Sequence, residues 1–331
     1  MNGNEDSGRY ALLERLRVVS DFSVRGELCF DDKGAVFTSS HKVLLEGIDF
    51  DLTYTPLKHL GYKSVVAAIG PVYASGYTPL SLSIRLALSG KLKAEQIEEL
   101  WRGVAAARDE HKIADIELDL LPSMTGLTIS ISASGKRDRE ELSKKGDANS
   151  GDLLCVNGDL GAAYMGLQIL EREKRVFEQS SVQPKLDKYK YPLQAFLNPR
   201  IDVGLIDSLK SAGIIPSAGE FIINGLADAV KSICSRSGLG AKIFMDKIAI
   251  AAQTSEVAQE LNLNPVTVAL NGGDDYLFLF AIPLAKYDAL KKEAPQLDIV
   301  GHLCDPAAGT VLVTPDGAEL ELKAQGWTYS G

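Results

Sequence analysis

Apolar and polar residues alternate most plainly in two stretches, and both read as strands. Residues 80–88 (LSLSIRLAL) place leucine and isoleucine on every second position, and residues 126–135 (GLTISISASG) do the same between bounding glycines. Residues 42–52 (KVLLEGIDFDL) begin apolar and then alternate through Ile48, Phe50 and Leu52, which predicts a third strand. Helical spacing appears over residues 94–111, with Ile97, Leu100, Trp101 and Val104 on one face. It appears again in an N-terminal arm over residues 1–25, through Leu12, Leu13, Leu16 and Val19. Residues 62–77 are apolar and rich in small side chains, as in a closely packed helix, and Pro71 is expected to kink or end it.

The second half follows the same mixed pattern. Residues 152–174 (DLLCVNGDLGAAYMGLQILEREK) read as a short buried strand, a glycine turn at Asn157–Gly161 and a long helix. The free N–H groups of that helix start suit an anion, or the turn is simply a tight connection in which glycine supplies the backbone conformation. Helices are expected at 205–212, 225–237, 254–262 and 284–293. Strands are expected at 242–250, 266–282, 300–303, 310–313 and 320–322. Irregular alternation of the two element types predicts α/β (α+β) architecture with mixed or antiparallel sheets. At 331 residues two domains are expected. The charged, small-residue stretch 136–151 marks the boundary, dividing 1–137 from 138–331.

Composition narrows the partners. The chain is 45% hydrophobic and carries a formal net charge of -9, which argues against nucleic acid as the main partner. No apolar run reaches membrane-spanning length, and the polar N-terminus lacks a signal-peptide layout, so a cytoplasmic protein is expected. The four cysteines, at 29, 155, 234 and 304, lack metal-site spacing and read as reduced thiols.

Four stretches in order, LEGIDFDLTYTPLKHLG (45–61), TGLTISIS (125–132), residues 153–174 and NGGDDYLFLF (271–280), make the chain resemble the thiamine-monophosphate kinases. That resemblance implies the two-domain aminoimidazole ribonucleotide synthetase-like fold, with N-terminal strands of two subunits meeting in a dimeric barrel, hence a homodimer. It also implies transfer of the ATP γ-phosphoryl group to thiamine monophosphate, with Mg2+ held by aspartates in separate loops. Phosphates then sit among carboxylate loops, which favours the packing reading of the Asn157–Gly161 turn.

The carboxylate loops depart from the family pattern. Asp31 and Asp32 are the counterparts of the Gly-Asp-Asp-Ala-Ala-Val signature, and Asp119 keeps the aspartate of the Gly-Gly-Asp-Thr loop. Elsewhere Lys42 replaces a metal carboxylate, Pro71 ends what is an Asn-Leu-Ser-Asp segment in the family, and Phe221, Ile223 and Asn224 stand in the Asp-Ile-Ser-Asp-Gly loop. Phenylalanine, proline and lysine offer no oxygen ligand, and an asparagine amide carries no charge. Lys144 or Lys145 takes the place of a nucleotide-contacting arginine. On the substrate side, Asp49 replaces a histidine, Asp274 keeps an acidic residue, and Trp327 matches an aromatic that can lie against a cationic ring or anchor the C-terminal tail.

Two readings follow, beside a third, a purely structural dimerisation scaffold. The first is a family member that has lost metal-dependent phosphoryl transfer and works in binding or regulation, holding a small-molecule phosphate ligand or no cofactor at all. Lys42 beside Asp119 is its expected internal counter-charge. The second is an active Mg-ATP-dependent kinase that uses Asp31, Asp32, Asp119 and Glu117 in a rearranged metal site and takes a different acceptor. In that site Glu117 and Asp119 share one strand face.

Overall fold

Residues 28–32 and 34–324 are described by the structure, a computed structural model. The arm at 1–25 and Trp327 lie outside them. Strands β1 (Leu28–Asp32) and β2 (Ala35–Leu45) form a hairpin. Helix α1 (Leu57–Ala74), β3 (Thr78–Ser89), α2 (Ala94–Glu110), β4 (Asp115–Ser123), β5 (Thr128–Asp138) and the short α3 (Arg139–Ser143) follow. The first sheet has the order β1-β2-β5-β3-β4, antiparallel except where β3 and β4 run parallel. Leu82, Ile84 and Leu86 of β3 and Ile129, Ile131 and Ala133 of β5 point into one core with α1 and α2. The strict alternation in the sequence is therefore that of a sheet with one buried face.

The second half contains β6 (Leu153–Val156), α4 (Ala162–Ser180), α5 (Lys190–Leu197), α6 (Val203–Ser211), β7 (Ala218–Ile222), α7 (Leu226–Ser237), β8 (Gly240–Phe244), α8 (Ala252–Glu260), α9 (Pro265–Asn271), β9 (Leu277–Ile282), α10 (Tyr287–Glu293), β10 (Asp298–Cys304), β11 (Thr310–Val313) and β12 (Glu319–Glu321). Its seven strands are ordered β12-β11-β8-β10-β6-β9-β7, with β8 and β11 parallel. This sheet is buried on both faces. Phe278, Phe280 and Ile282 join the core of α1 and the first sheet, while Leu279 and Ala281 join a second core with α7. That double burial explains the unbroken apolar run LFLFAI.

Helix α1 lies between the sheets and is buried almost all round, from Leu60 to Gly70 and again from Val72 to Ala74. A Cβ on Gly61 would stand 2.0 Å from the Leu100 carbonyl oxygen, and one on Gly103 would stand 1.9 Å from that of Lys58. These two glycines let α1 and α2 approach backbone to backbone.

Several expectations are corrected. The strand expected at 42–52 ends at Leu45, because Gly47 is left-handed (φ +83°) and the carboxylates of Asp49 and Asp51 accept from the Leu45 and Thr53 N–H groups. Pro71 does not end the helix. One turn remains beyond it, and the burial of Val72, Tyr73 and Ala74 outweighs a single missing N–H bond. Residues 265–271 are helical rather than extended, since Asn264 caps the Thr267 N–H and Pro265 occupies the first helical position. Residues 117–120 lie within strand β4 and not in a glycine loop. Cys155, Cys234 and Cys304 are buried free thiols. No helix among the described residues is long and apolar enough to cross a membrane.

Candidate functional site

Of the loops that carry sequence candidates, those of Asp274 and Asp49 come together near α1, the first held by Lys63 and both acting on Tyr276. The loop 271–276 is the most constrained of them. Gly273, Asp274 and Tyr276 have φ of +80°, +57° and +52°, a costly backbone for the two non-glycine residues. The N–H groups of the latter two are anchored at the end of β7 and just beyond it, Asp274 to the Ile223 carbonyl at 2.6 Å and Tyr276 to that of Ile222 at 2.9 Å.

The carboxylate of Asp274 accepts from Lys63 of α1 at 2.8 Å. Lys63 is only 4% exposed, donates also to the Phe196 carbonyl at 3.1 Å, and lies 3.9 Å from the centre of the Phe196 ring. The Tyr276 hydroxyl is buried and makes no hydrogen bond of normal geometry. Burial, and then the charges of Asp274 and Asp49, push its phenol well above the ordinary range. Asp49 lies 3.7 Å from Lys42. The loop that carries Asp49 is tied to α4 by Lys174–Asp51 at 2.6 Å and Tyr54–Glu171 at 2.5 Å.

Asp275 settles the glycine turn. Its Oδ1 accepts the Gly161 N–H at the start of α4, at 2.9 Å. A carboxyl of the protein itself therefore takes up the Gly161 N–H at this helix start. Gly161 is left-handed (φ +83°), and a Cβ there would meet Val268 at 2.7 Å. Oδ2 of Asp275 is buried without a hydrogen-bond partner, and burial raises the pKa to about 8, with the charge of Asp274 adding to it.

A folded pKa above the unfolded value means that the native state holds the proton as the pH rises from 4 to 8. Stability therefore falls across that window. Asp275→Asn keeps the acceptor and removes the titration. Between pH 6 and 8 the wild type should lose about 2 kcal/mol that the variant retains, read by urea melts at both pH values. Equal losses in the two proteins would refute it.

The residues at the family's metal positions do not assemble. Asp119 lies 3.7 Å from Arg85, which also pairs with Glu117 at 3.0 Å, so one guanidinium lies against both carboxylates of this strand face. The hydrogen bond from Ser83, then those from Arg85, hold the Glu117 carboxyl below the ordinary range. Lys42, expected beside Asp119, pairs with Asp49 instead. Phe221 is 3% exposed, with ring centres 5.7 Å from Tyr276 and 5.3 Å from Phe278, and its ring fills the space over Gly70. Pro71 follows in the same helix turn, Ile223 is half-buried against this core, and the Asn224 amide donates to Asp228 at 3.2 Å.

Asp119 pairs in register with Arg85, level with Ser130 and Val43. Asp31 and Asp32 sit at the hairpin end, level with Arg137 and Asp138. Within one chain that is roughly 25 Å along the strands, and β1 and β4 are opposite edges of the sheet. The backbone positions that the rearranged site would draw on are thus far apart. Among the described residues no group of three or more His, Cys, Asp or Glu side chains is placed to hold a metal ion. Lys144 pairs with Glu140 at 3.3 Å, and Lys145 lines a cavity of about 650 Å³ with Tyr77 and Arg236.

No protein-family model matches the chain. Among curated proteins, the thiamine-monophosphate kinase of Aquifex aeolicus is 26% identical over 333 residues, covering 98% of this chain and 99% of that one. The thiamine-monophosphate kinase of Synechococcus elongatus is 27% identical over 304 residues, covering 90% and 89%. The chain is similar to these thiamine-monophosphate kinases along nearly its whole length. Its architecture agrees. The structure of AaThiL complexed with AMPPCP and TMP matches with TM-score 0.79 at 21% identity, covering 100% of this chain and 99% of that one. Escherichia coli HypE matches with TM-score 0.65 at 18% identity, covering 87% and 85%. The fold is thus aminoimidazole ribonucleotide synthetase-like.

Three residues without a role in the sequence pattern organise these contacts: Lys63 and Asp275 around the loop 271–276, and Arg85 on the outer face of the first sheet. Lys63 had a signal, a lone lysine inside the apolar run YKSVVAAIG. Arg85 had a weaker one, an arginine in an otherwise uncharged strand. Nothing local marked Asp275 as the partner of a helix start more than a hundred residues away.

Proposed function

We propose that this chain retains the ligand cleft of the thiamine-monophosphate kinase family and does not carry out its Mg2+- and ATP-dependent phosphoryl transfer, acting instead in binding or regulation. The observation that carries this reading is Phe221, buried against Gly70 at a family carboxylate position. Arg85 supports it by lying against both acids of β4. Magnesium sites are tuned by ligand charge, and a cation and an aromatic ring at these positions oppose a divalent ion.

The N-terminal unit in this reading ends at residue 137 and the C-terminal unit begins at 138. The protein works in the cytoplasm as a homodimer. Exposed Val43 and Leu45 on the first sheet, at 48% and 37%, support the homodimer in this reading.

Calorimetric titration with thiamine monophosphate, followed by an assay with Mg-ATP, tests the proposal. Binding without formation of thiamine diphosphate is expected. Magnesium-dependent turnover overturns the reading in favour of the active kinase, and absence of thiamine monophosphate binding removes the retained cleft.

A further inference from the structure

The ammonium of Lys63 is one of the least accessible charges in the molecule, and everything around it is suited to a cation. It has the Asp274 carboxylate at 2.8 Å, the Phe196 carbonyl at 3.1 Å, and the faces of the Phe196 and Tyr276 rings at 3.9 and 5.5 Å. The carbonyl lies in the last turn of α5, where the helix dipole is negative. Lys63 comes from α1, whereas Asp274, Tyr276 and Phe196 belong to the second half of the chain. One side chain thus crosses the seam and fixes a loop on its far side.

Stability alone is a poor account of this arrangement. A buried ion pair gains little over an apolar pair of the same shape, because both charges must give up water. The loop also holds Asp274 and Tyr276 in left-handed backbone, which costs energy at non-glycine residues. The side chain of Asp274 nevertheless stays 30% exposed, so one oxygen is held by Lys63 and the carboxylate still reaches solvent. Such a strained and half-open acid, gripped from behind, is arranged to present a charge.

We propose that Lys63 is a positioning residue that fixes the carboxylate of Asp274, the acid that the family resemblance sets on the substrate side, in the orientation a ligand meets. The inference rests on the reading that the cleft binds a ligand. Asp49, close enough to act on the same tyrosine, has its own ammonium partner in Lys42.

Lys63→Met, Asp274→Asn and the double variant decide the matter, with thiamine monophosphate as the probe. Each single change should weaken binding roughly tenfold, and the double variant should be no weaker, because Lys63 acts only through Asp274. In Lys63→Ala, millimolar n-propylammonium should restore much of the binding, since the cage for an ammonium remains. Independent of any ligand, hydrogen exchange at the Asp274 and Tyr276 amides should quicken in Lys63→Met and return toward wild type in Lys63→Arg. Additive losses, or failure of propylammonium to restore binding, overturn the positioning role. If the wild type does not bind the probe, the retained-cleft reading fails by itself, and the exchange rates still decide whether Lys63 holds the loop. Unchanged exchange in Lys63→Met overturns it.

Discussion

Phe221→Asp is expected to lower stability by about 5 kcal/mol and to gain no magnesium dependence. Removing a buried phenylalanine costs about 3–5 kcal/mol through lost burial and the cavity left behind. The new carboxylate then faces the Phe278 and Tyr276 rings and the tight backbone at Gly70, which leaves it buried among apolar groups. Such a loss rivals the whole stability of many domains, about 5–15 kcal/mol, so the variant should melt far below wild type or accumulate unfolded. Phe221→Leu, which keeps the site apolar, should cost about 1–2 kcal/mol and supplies the folded reference. Thermal melts with and without magnesium chloride give the decisive comparison. An ion that binds only the native state raises the melting temperature by mass action. A magnesium-dependent rise in Phe221→Asp would mean that one carboxylate suffices to rebuild the metal site, and the loss of phosphoryl transfer proposed for this chain would no longer follow.

The second large effect lies on the other side of α1. Gly103→Ala should destabilise the protein by about 2–3 kcal/mol, although alanine is the better helix former by about 1 kcal/mol. The added methyl would stand 1.9 Å from the Lys58 carbonyl oxygen and 2.8 Å from the Tyr62 nitrogen, both backbone atoms that cannot rotate away. The two helices must separate, and Lys63, next in the chain after Tyr62, moves with them. Gly90→Ala is the matched control, because a Cβ there meets nothing within 4 Å. If Gly103→Ala melts at or above the wild-type temperature, the close crossing of α1 and α2 is wrong.

The local pattern made elements with one buried face legible. β3 and β5 alternate because α1 and α2 cover only one side of their sheet, and α2 shows helical spacing for the same reason. Where burial is two-sided the periodicity disappears. α1 was recognised by its small residues but given the wrong bounds, and the apolar run ahead of β9 hid helix α9. Turn chemistry ended β2 earlier than its hydrophobic pattern, since the alternation through Ile48 and Phe50 continues into a loop closed by Asp49 and Asp51.

The family and its fold could be read from four short stretches, and the changed residues at the carboxylate loops could be read as identities. Sequence by itself also determined that Lys42, Pro71 and Phe221 bring no oxygen to a metal, because that follows from side-chain chemistry alone. What each replacement does instead was decided only in three dimensions. Asp119 found its counter-charge in Arg85 on the neighbouring strand, Lys42 turned to Asp49, Phe221 became core, and the glycine turn at Asn157–Gly161 received Asp275. Charge pairing and burial depend on which atoms lie within a few ångströms, and strand register and helix crossing set those distances between residues far apart in the chain.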